Sequence, residues 1–307
     1  MIGILLGLGS ALFFGANSVI TRRGMLQVSS NYVATISIFT GLLFFLIVTS
    51  VTGSLPGIVQ LSWKACLYWA LSGIIHFSIG RTWAYRSIQL LGSNRSNVVT
   101  SLSPIATVAL AMLLLKETVT VLQVLGIVCT LLGPLLIIFK EETVAQSAQT
   151  KSGSYGRDVD ARTMLLGVLY GAGAAVFWGS SAVFIKFGLE AGGSPIVGTL
   201  IAYAGASVVT SPSFLLNAAN RNEILNEGTK PLPVTLLSGL TTSIAQLLRY
   251  VSFQYGSVIV VSLMLRTMPI WIIIFAFMFN REYESFSRWV FIGNGLILIG
   301  TVLVMMS

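Results

Sequence analysis

Charge is scarce in this sequence, and acid within its apolar runs is missing altogether. Only 9% of the 307 residues are Asp, Glu, Lys or Arg, against roughly 25% in a soluble globular domain. With 55% hydrophobic residues and a mean hydropathy of +0.87, that shortage excludes a soluble core and implies an integral membrane protein. All ten acidic residues fall outside the centres of the apolar runs. The carboxylate that proton- or sodium-driven carriers usually keep at depth is therefore absent. There is one histidine, there are two well-separated cysteines, Cys66 and Cys129, and there is no HExxH pattern. No metal site and no other cofactor is expected from such a set. Nor is a nucleophile paired with a base, so no catalytic residue is assigned and a membrane-embedded enzyme is the weaker reading. The missing P-loop excludes direct ATP drive by this chain. The missing basic arm excludes nucleic acid as a partner. No Lys or Arg precedes the first apolar run, which reads as a permanent span and not as a signal peptide.

What is present is a series of apolar runs about 20 residues long, the length a helix needs to cross a bilayer. Ten are expected, at roughly 2–21, 32–52, 64–86, 95–115, 119–139, 163–186, 195–216, 233–255, 257–279 and 286–306. Residues 140–162 are polar, charged and rich in Ser and Gly, and read as a flexible linker. The other long polar loop, 217–232, has room for a short surface helix.

The runs repeat. Pro104, an apolar run, Lys116-Glu117 and then Gly126 and Gly133 return as Pro269, an apolar run, Arg281-Glu282 and then Gly293 and Gly300. The offset is 165 residues for the prolines and charged pairs and 167 for the glycines. The GxxxG of Gly3 and Gly7 returns as Gly167 and Gly171, and Tyr85 to Gln89 as Tyr250 to Gln254. Such spacing marks a duplicated unit. The expected organisation is a first five-helix repeat over 1–139, the linker over 140–162 and a second repeat over 163–307. Five is odd, so the second copy runs inverted across the membrane, as in many secondary transporters.

With these motifs the chain resembles the EamA-like, ten-helix branch of the drug/metabolite transporter superfamily. The resemblance implies an all-α membrane protein of ten transmembrane helices in two inverted five-helix repeats. It also implies export of amino acids or other metabolites, exchange of sugar phosphates or nucleotide sugars, or flipping of lipid head groups. Residues 93–99, SNRSNVV, depart from the small apolar residues that the family usually carries there.

The basic residues fix an expected orientation. Twelve of the eighteen fall in loops on one side, three on the other and three inside spans. The positive-inside rule puts the linker in the cytoplasm and both termini outside, in a cell's inner membrane.

The three arginines inside spans are Arg81, Arg249 and Arg266. An intramembrane charge is a functional-site candidate by default, and no carboxylate in the spans is there to pair with them. Arg266 has two readings. It caps the carbonyl that Pro269 frees near Leu265, or it holds an anionic substrate. Arg81 and Tyr85 share a helix face with Ser78, and Gln246 and Tyr250 occupy the matching face of the second repeat. Ser262 lies one turn from Arg266, Asn97 is in the corresponding part of span four, and Asn17 and Ser181 are equivalent polar positions in spans one and six. His76 reads as a hydrogen-bonded packing residue or as the one group able to titrate near neutral pH. Glu117 and Glu282 read as charges before helix N-termini. Together these residues point to a secondary transporter of a small metabolite bearing a carboxylate or phosphate, with flux indifferent to a proton gradient. Its expected partners are that substrate and the lipid bilayer, in a monomer or homodimer.

The orientation is tested by labelling in intact cells. A membrane-impermeant thiol reagent is expected to modify Ser307→Cys and to spare Ser152→Cys; the opposite pattern reverses the topology.

Overall fold

The computed structural model describes residues 1–25, 30–91, 96, 99–133, 135–136, 161–216, 222, 232–279 and 288–306, and their regular structure is helical throughout. Helices α1 (Ile2–Met25) and α2 (Ser30–Val51) are followed by a single turn at Pro56–Val59. Span three is continuous but not uniform: α3 (Trp63–Gly73), a π-helical turn (Ile74–Ile79) and α4 (Gly80–Leu91). Next come α5 (Ser103–Leu114), α6 (Val121–Gly133), α7 (Ala161–Glu190), α8 (Pro195–Leu216) and α9 (Leu232–Tyr255). Span nine is α10 (Val258–Met264), a 3-10 turn (Leu265–Thr267) and α11 (Met268–Phe279), and α12 (Arg288–Met305) closes the series. Each of the ten expected spans thus has a helical counterpart. Nearly all of the linker and of the 217–232 loop lies outside the described residues.

Both repeat prolines sit at a break. Pro104 occupies the first turn of α5, after a turn at Ser101-Leu102. There its missing N–H costs nothing. Pro269 follows the 3-10 turn. The carbonyl that Pro269 leaves open, that of Leu265, accepts from the Met268 N–H instead. At the end of α5 the chain turns through Lys116 in the left-handed region (φ 56°), and the Glu117 N–H reaches the Ala111 carbonyl at 3.3 Å. Glu117 is therefore part of the α5 C-cap. The start of α6 is capped by Thr120 and Gln123, each side chain accepting from the other's backbone N–H at 3.2 Å. Glu117 lies four residues before Val121, on the N-terminal side of α6, as the sequence suggests. Glu282 lies outside the described residues.

The described residues group into two compact units, one of Met1–Ser78 with Ser181–Glu284, the other of Ile79–Ser180 with Ser285–Ser307. In the first, α9 packs on α1, α2 and α8, and α3 packs on α8. Helix α9 is amphipathic in the sense that lipid demands. Thr235, Ser238, Thr242, Gln246 and Arg249 make one buried stripe, while Leu236, Leu237 and Leu240 are exposed. Glycine sets how closely its neighbours approach. A Cβ at Gly3 would lie 3.0 Å from the Gly256 nitrogen and the Ser252 carbonyl, and Ser10 Oγ donates to the Ala245 carbonyl at 2.7 Å. A Cβ at Gly73 would run into the Ala202 carbonyl of α8. Trp69 is fully buried against Gly188, Gly193 and Gly198. At the end of α9, Lys186 Nζ donates to the Phe253 carbonyl at 3.1 Å, a cation placed at a helix C-terminus.

The second unit repeats the logic. Ser87 Oγ donates to the Gly167 carbonyl at 2.9 Å, so the second GxxxG seats on span three as the first seats on span eight. Helices α6 and α12, equivalent by repeat, meet glycine to glycine. A Cβ at Gly126 would lie 2.7 Å from the Gly300 carbonyl, and one at Gly300 would lie 2.7 Å from that of Gly126. Gly133 faces the Gly293 carbonyl. Residue numbers rise along one helix as they fall along the other, so the two equivalent helices run antiparallel.

The Gly73 contact is testable. Gly73→Val is expected to destabilise the protein by about 1–3 kcal/mol through overpacking, read as a lower Tm in detergent. Gly57→Ala is the control, because a Cβ there meets nothing within 4 Å. Equal melting of the two variants refutes the close approach.

Candidate functional site

The polar stripe of α9 meets span three at its π turn. A π turn holds one extra residue and commonly marks a functional position in a helix. It carries His76, whose Nδ1 lies 3.1 Å from Ser181 Oγ of α7 and whose Nε2 lies 3.4 Å from Gln246 Nε2 of α9. Arg249, one turn beyond Gln246, donates from Nη2 to Ser181 Oγ at 3.1 Å and from Nη1 to Gln246 Oε1 at 3.4 Å. Four side chains from three spans thus close a ring: Arg249, Ser181, His76 and Gln246. Arg249 is 6% exposed, Gln246 1% and Ser181 0%. The guanidinium carbon lies 5.5 Å from the centre of the Phe253 ring. Arg249 Nε has no hydrogen-bond acceptor among the described residues.

The ring rests on a second layer. Tyr250 meets Ser72 Oγ at 2.8 Å, and Ser72 also bonds the Trp69 carbonyl at 2.7 Å. Phe77 packs on Tyr203, and Tyr203 on Phe45, with ring centres 4.7 and 5.0 Å apart. These aromatics fix the α3–α8–α2 side, from which His76 projects. Ser78, at the end of the turn, bonds Thr210 Oγ1 at 3.2 Å and the Ala206 carbonyl at 3.3 Å.

The expected site residues divide accordingly. Arg249, Gln246 and Ser181 come together, and Tyr250 supports them from the next position on α9. Asn17 belongs to a separate cluster, where its Oδ1 accepts from Ser238 Oγ at 2.7 Å and from Thr21 Oγ1 at 3.2 Å. Ser262 is buried on α10, before the 3-10 turn that leads to Arg266. Arg81 and Tyr85 are half-buried on α4, in the second unit. Asn97 lies outside the described residues. Two members were not singled out as site residues from sequence, His76 and Ser72. They are four apart, as a shared helix face requires, and that spacing was the available signal. Among the described residues, no group of three or more His, Cys, Asp or Glu side chains is placed to hold a metal.

A helical chain whose charged and amide side chains gather between apolar spans is built like a multi-pass transporter, and the comparisons agree. The model of the EamA-like transporter family matches residues 1–139 and again residues 165–306. The chain belongs to the EamA-like transporter family. It is an all-α integral membrane protein of ten transmembrane helices in two inverted five-helix repeats, a transporter of small molecules and not an enzyme. A solved crystal structure superposes over 99% of this chain and 96% of its own, with a TM-score of 0.76 and 16% identity, a likeness of fold alone. No curated protein matches the chain.

The ring should behave as a unit. Ser181→Ala leaves a buried donor of Arg249 without its acceptor, at an expected cost of about 1–3 kcal/mol. Combined with Gln246→Leu, the losses are expected to be non-additive by about 0.5–3 kcal/mol. A double-mutant cycle on unfolding in detergent reads this, and strict additivity breaks the ring apart.

Proposed function

We propose that this protein is a secondary transporter, an exporter or exchanger, for a small polar metabolite carrying a carboxylate or phosphate, such as an amino acid or organic anion. One observation carries the reading. Arg249 is buried with two neutral hydrogen-bond partners, the Ser181 hydroxyl and the Gln246 amide, and the expected spans contain no acidic residue. A guanidinium held by neutral groups in a low-dielectric interior strongly favours an incoming anion. Guanidinium groups hold a carboxylate or phosphate by paired, charge-assisted hydrogen bonds. Gln246, Ser181 and Tyr250 supply neutral polar contacts beside Arg249, and Ser262 lies next to Arg266. Arg81, Tyr85, Asn17 and Asn97 are the further substrate-binding residues proposed from the sequence. The proposed mechanism is alternating access between the two inverted repeats, 1–139 and 163–307, with breaks before Pro104 and Pro269 in equivalent spans. The proposed setting is the inner membrane, with the linker cytoplasmic and both termini outside. The remaining proposed partners are the bilayer and at most one further copy of the chain.

The test is uptake and binding in proteoliposomes across labelled amino acids and organic anions. Arg249→Gln and Arg266→Gln are each expected to weaken binding of the transported anion by on the order of 2–5 kcal/mol. Arg266→Lys is expected to weaken it less, because an ammonium lacks the planar fork. Normal transport by both glutamine variants, or loss of Tm without a specific loss of binding, makes the arginines structural and removes the anionic substrate.

A further inference from the structure

Helix α9 uses its hydroxyls in more than one way. Thr241 Oγ1 donates to the Leu237 carbonyl at 2.6 Å, and Ser243 Oγ to the Gly239 carbonyl at 2.7 Å. That return to the backbone one turn earlier is a common habit of hydroxyls inside helices. Ser238 Oγ reaches outward instead, donating to Asn17 Oδ1 at 2.7 Å. Thr242, between Thr241 and Ser243, does neither. It is 9% exposed, and its hydroxyl makes no hydrogen bond among the described residues. Its oxygen stays open, while Arg249 Nε, on the same stripe, is sealed in without an acceptor among those residues.

Position on the helix says which way that hydroxyl looks. At about 100° per residue, Thr242 lies nearly opposite the exposed line of Leu236, Leu237 and Leu240. The opening is therefore on the side of α9 away from lipid. Arg249 follows about two turns later and shares that side. Its side chain runs back to Gln246, where Nη1 meets Oε1 at 3.4 Å. The guanidinium thus stands about one turn from Thr242, roughly 6 Å along the axis. A buried hydroxyl without a partner is costly, and this one is offered to the same side as the cation.

We infer that Thr242 contacts the substrate and helps to select it. An anion held at Arg249 carries, about 6 Å from its charge, a hydroxyl, carbonyl or amide that bonds the Thr242 hydroxyl. This rests on the anionic-substrate reading of the same site and narrows it. The preferred anion has a polar far end; one with a bare alkyl tail leaves Thr242 unsatisfied and is discriminated against for that reason.

The test is calorimetric titration of the full-length protein in detergent at pH 7 with 5-hydroxypentanoate and with hexanoate. Both are monoanions of the same length, and they differ only by a terminal hydroxyl in place of a methyl. The quantity read is the hexanoate Kd divided by the 5-hydroxypentanoate Kd. Thr242→Val keeps the shape and loses the hydroxyl. It is expected to lower this ratio by about three- to tenfold, the range that one neutral hydrogen bond supplies. Thr242→Ser is expected to keep the ratio. An unchanged ratio in Thr242→Val, whether or not that variant melts lower, overturns the inference and leaves the anionic substrate standing. Thr242→Ala removes the same hydroxyl and decides the matter if Thr242→Val does not fold. Arg249→Gln probes the underlying reading and is expected to weaken both anions alike. If it weakens neither, or if the wild type binds neither, the anionic-substrate reading fails and the role of Thr242 falls with it.

Discussion

A guanidinium between transmembrane helices must be surrounded by acceptors, because neither water nor a carboxylate is at hand there. Arg249 meets part of that demand with a serine hydroxyl from one span and an amide from its own helix, while its Nε has no acceptor among the described residues. Both are neutral, so both can be displaced without leaving a bare counter-charge behind. The arrangement around it follows from the same need. The Gln246 end of the α9 stripe lies beside this charge, and the π turn of span three brings His76 to the two groups that Arg249 already uses. A carboxylate in place of Gln246 would satisfy Arg249 more fully and leave nothing for a ligand to do.

Much of the architecture was legible in the sequence because lipid imposes it. Spans follow from run length, the duplication from the 165-residue offset, and the breaks from Pro104 and Pro269. The structure shows what those marks are for. Pro104 begins a helix, and Pro269 follows a 3-10 turn. The ring was not legible. Positions 76, 181, 246 and 249 have no common spacing, and only the fold brings them together. His76 read from sequence as a hydrogen-bonded packing residue, and its two ring nitrogens do face different helices, at Ser181 and Gln246. The π turn has no sequence mark beyond the glycines at either end, Gly73 and Gly80.

Apolar side chains gain nothing by leaving lipid for one another, so association depends on closeness. The glycines are spent there. Gly3 and Gly167 open their helices to spans eight and three, Gly126 and Gly300 open α6 and α12 to each other, and three glycines make room for Trp69. Equivalent glycines in the two repeats do equivalent work, each opening its helix to a close neighbour.

The polar stripe of α9 also bears on how the protein is made. With an arginine, a glutamine and a row of hydroxyls along one side, α9 is a poor solute for hydrocarbon by itself, where a central arginine costs roughly 2.5–3.5 kcal/mol. Its stripe is covered by α1, α2 and α8, and all three leave the ribosome before it does. Order of synthesis therefore serves as a folding aid. The earlier helices are already in the bilayer when α9 reaches the translocon, and they give it a protein surface to enter against instead of bare lipid.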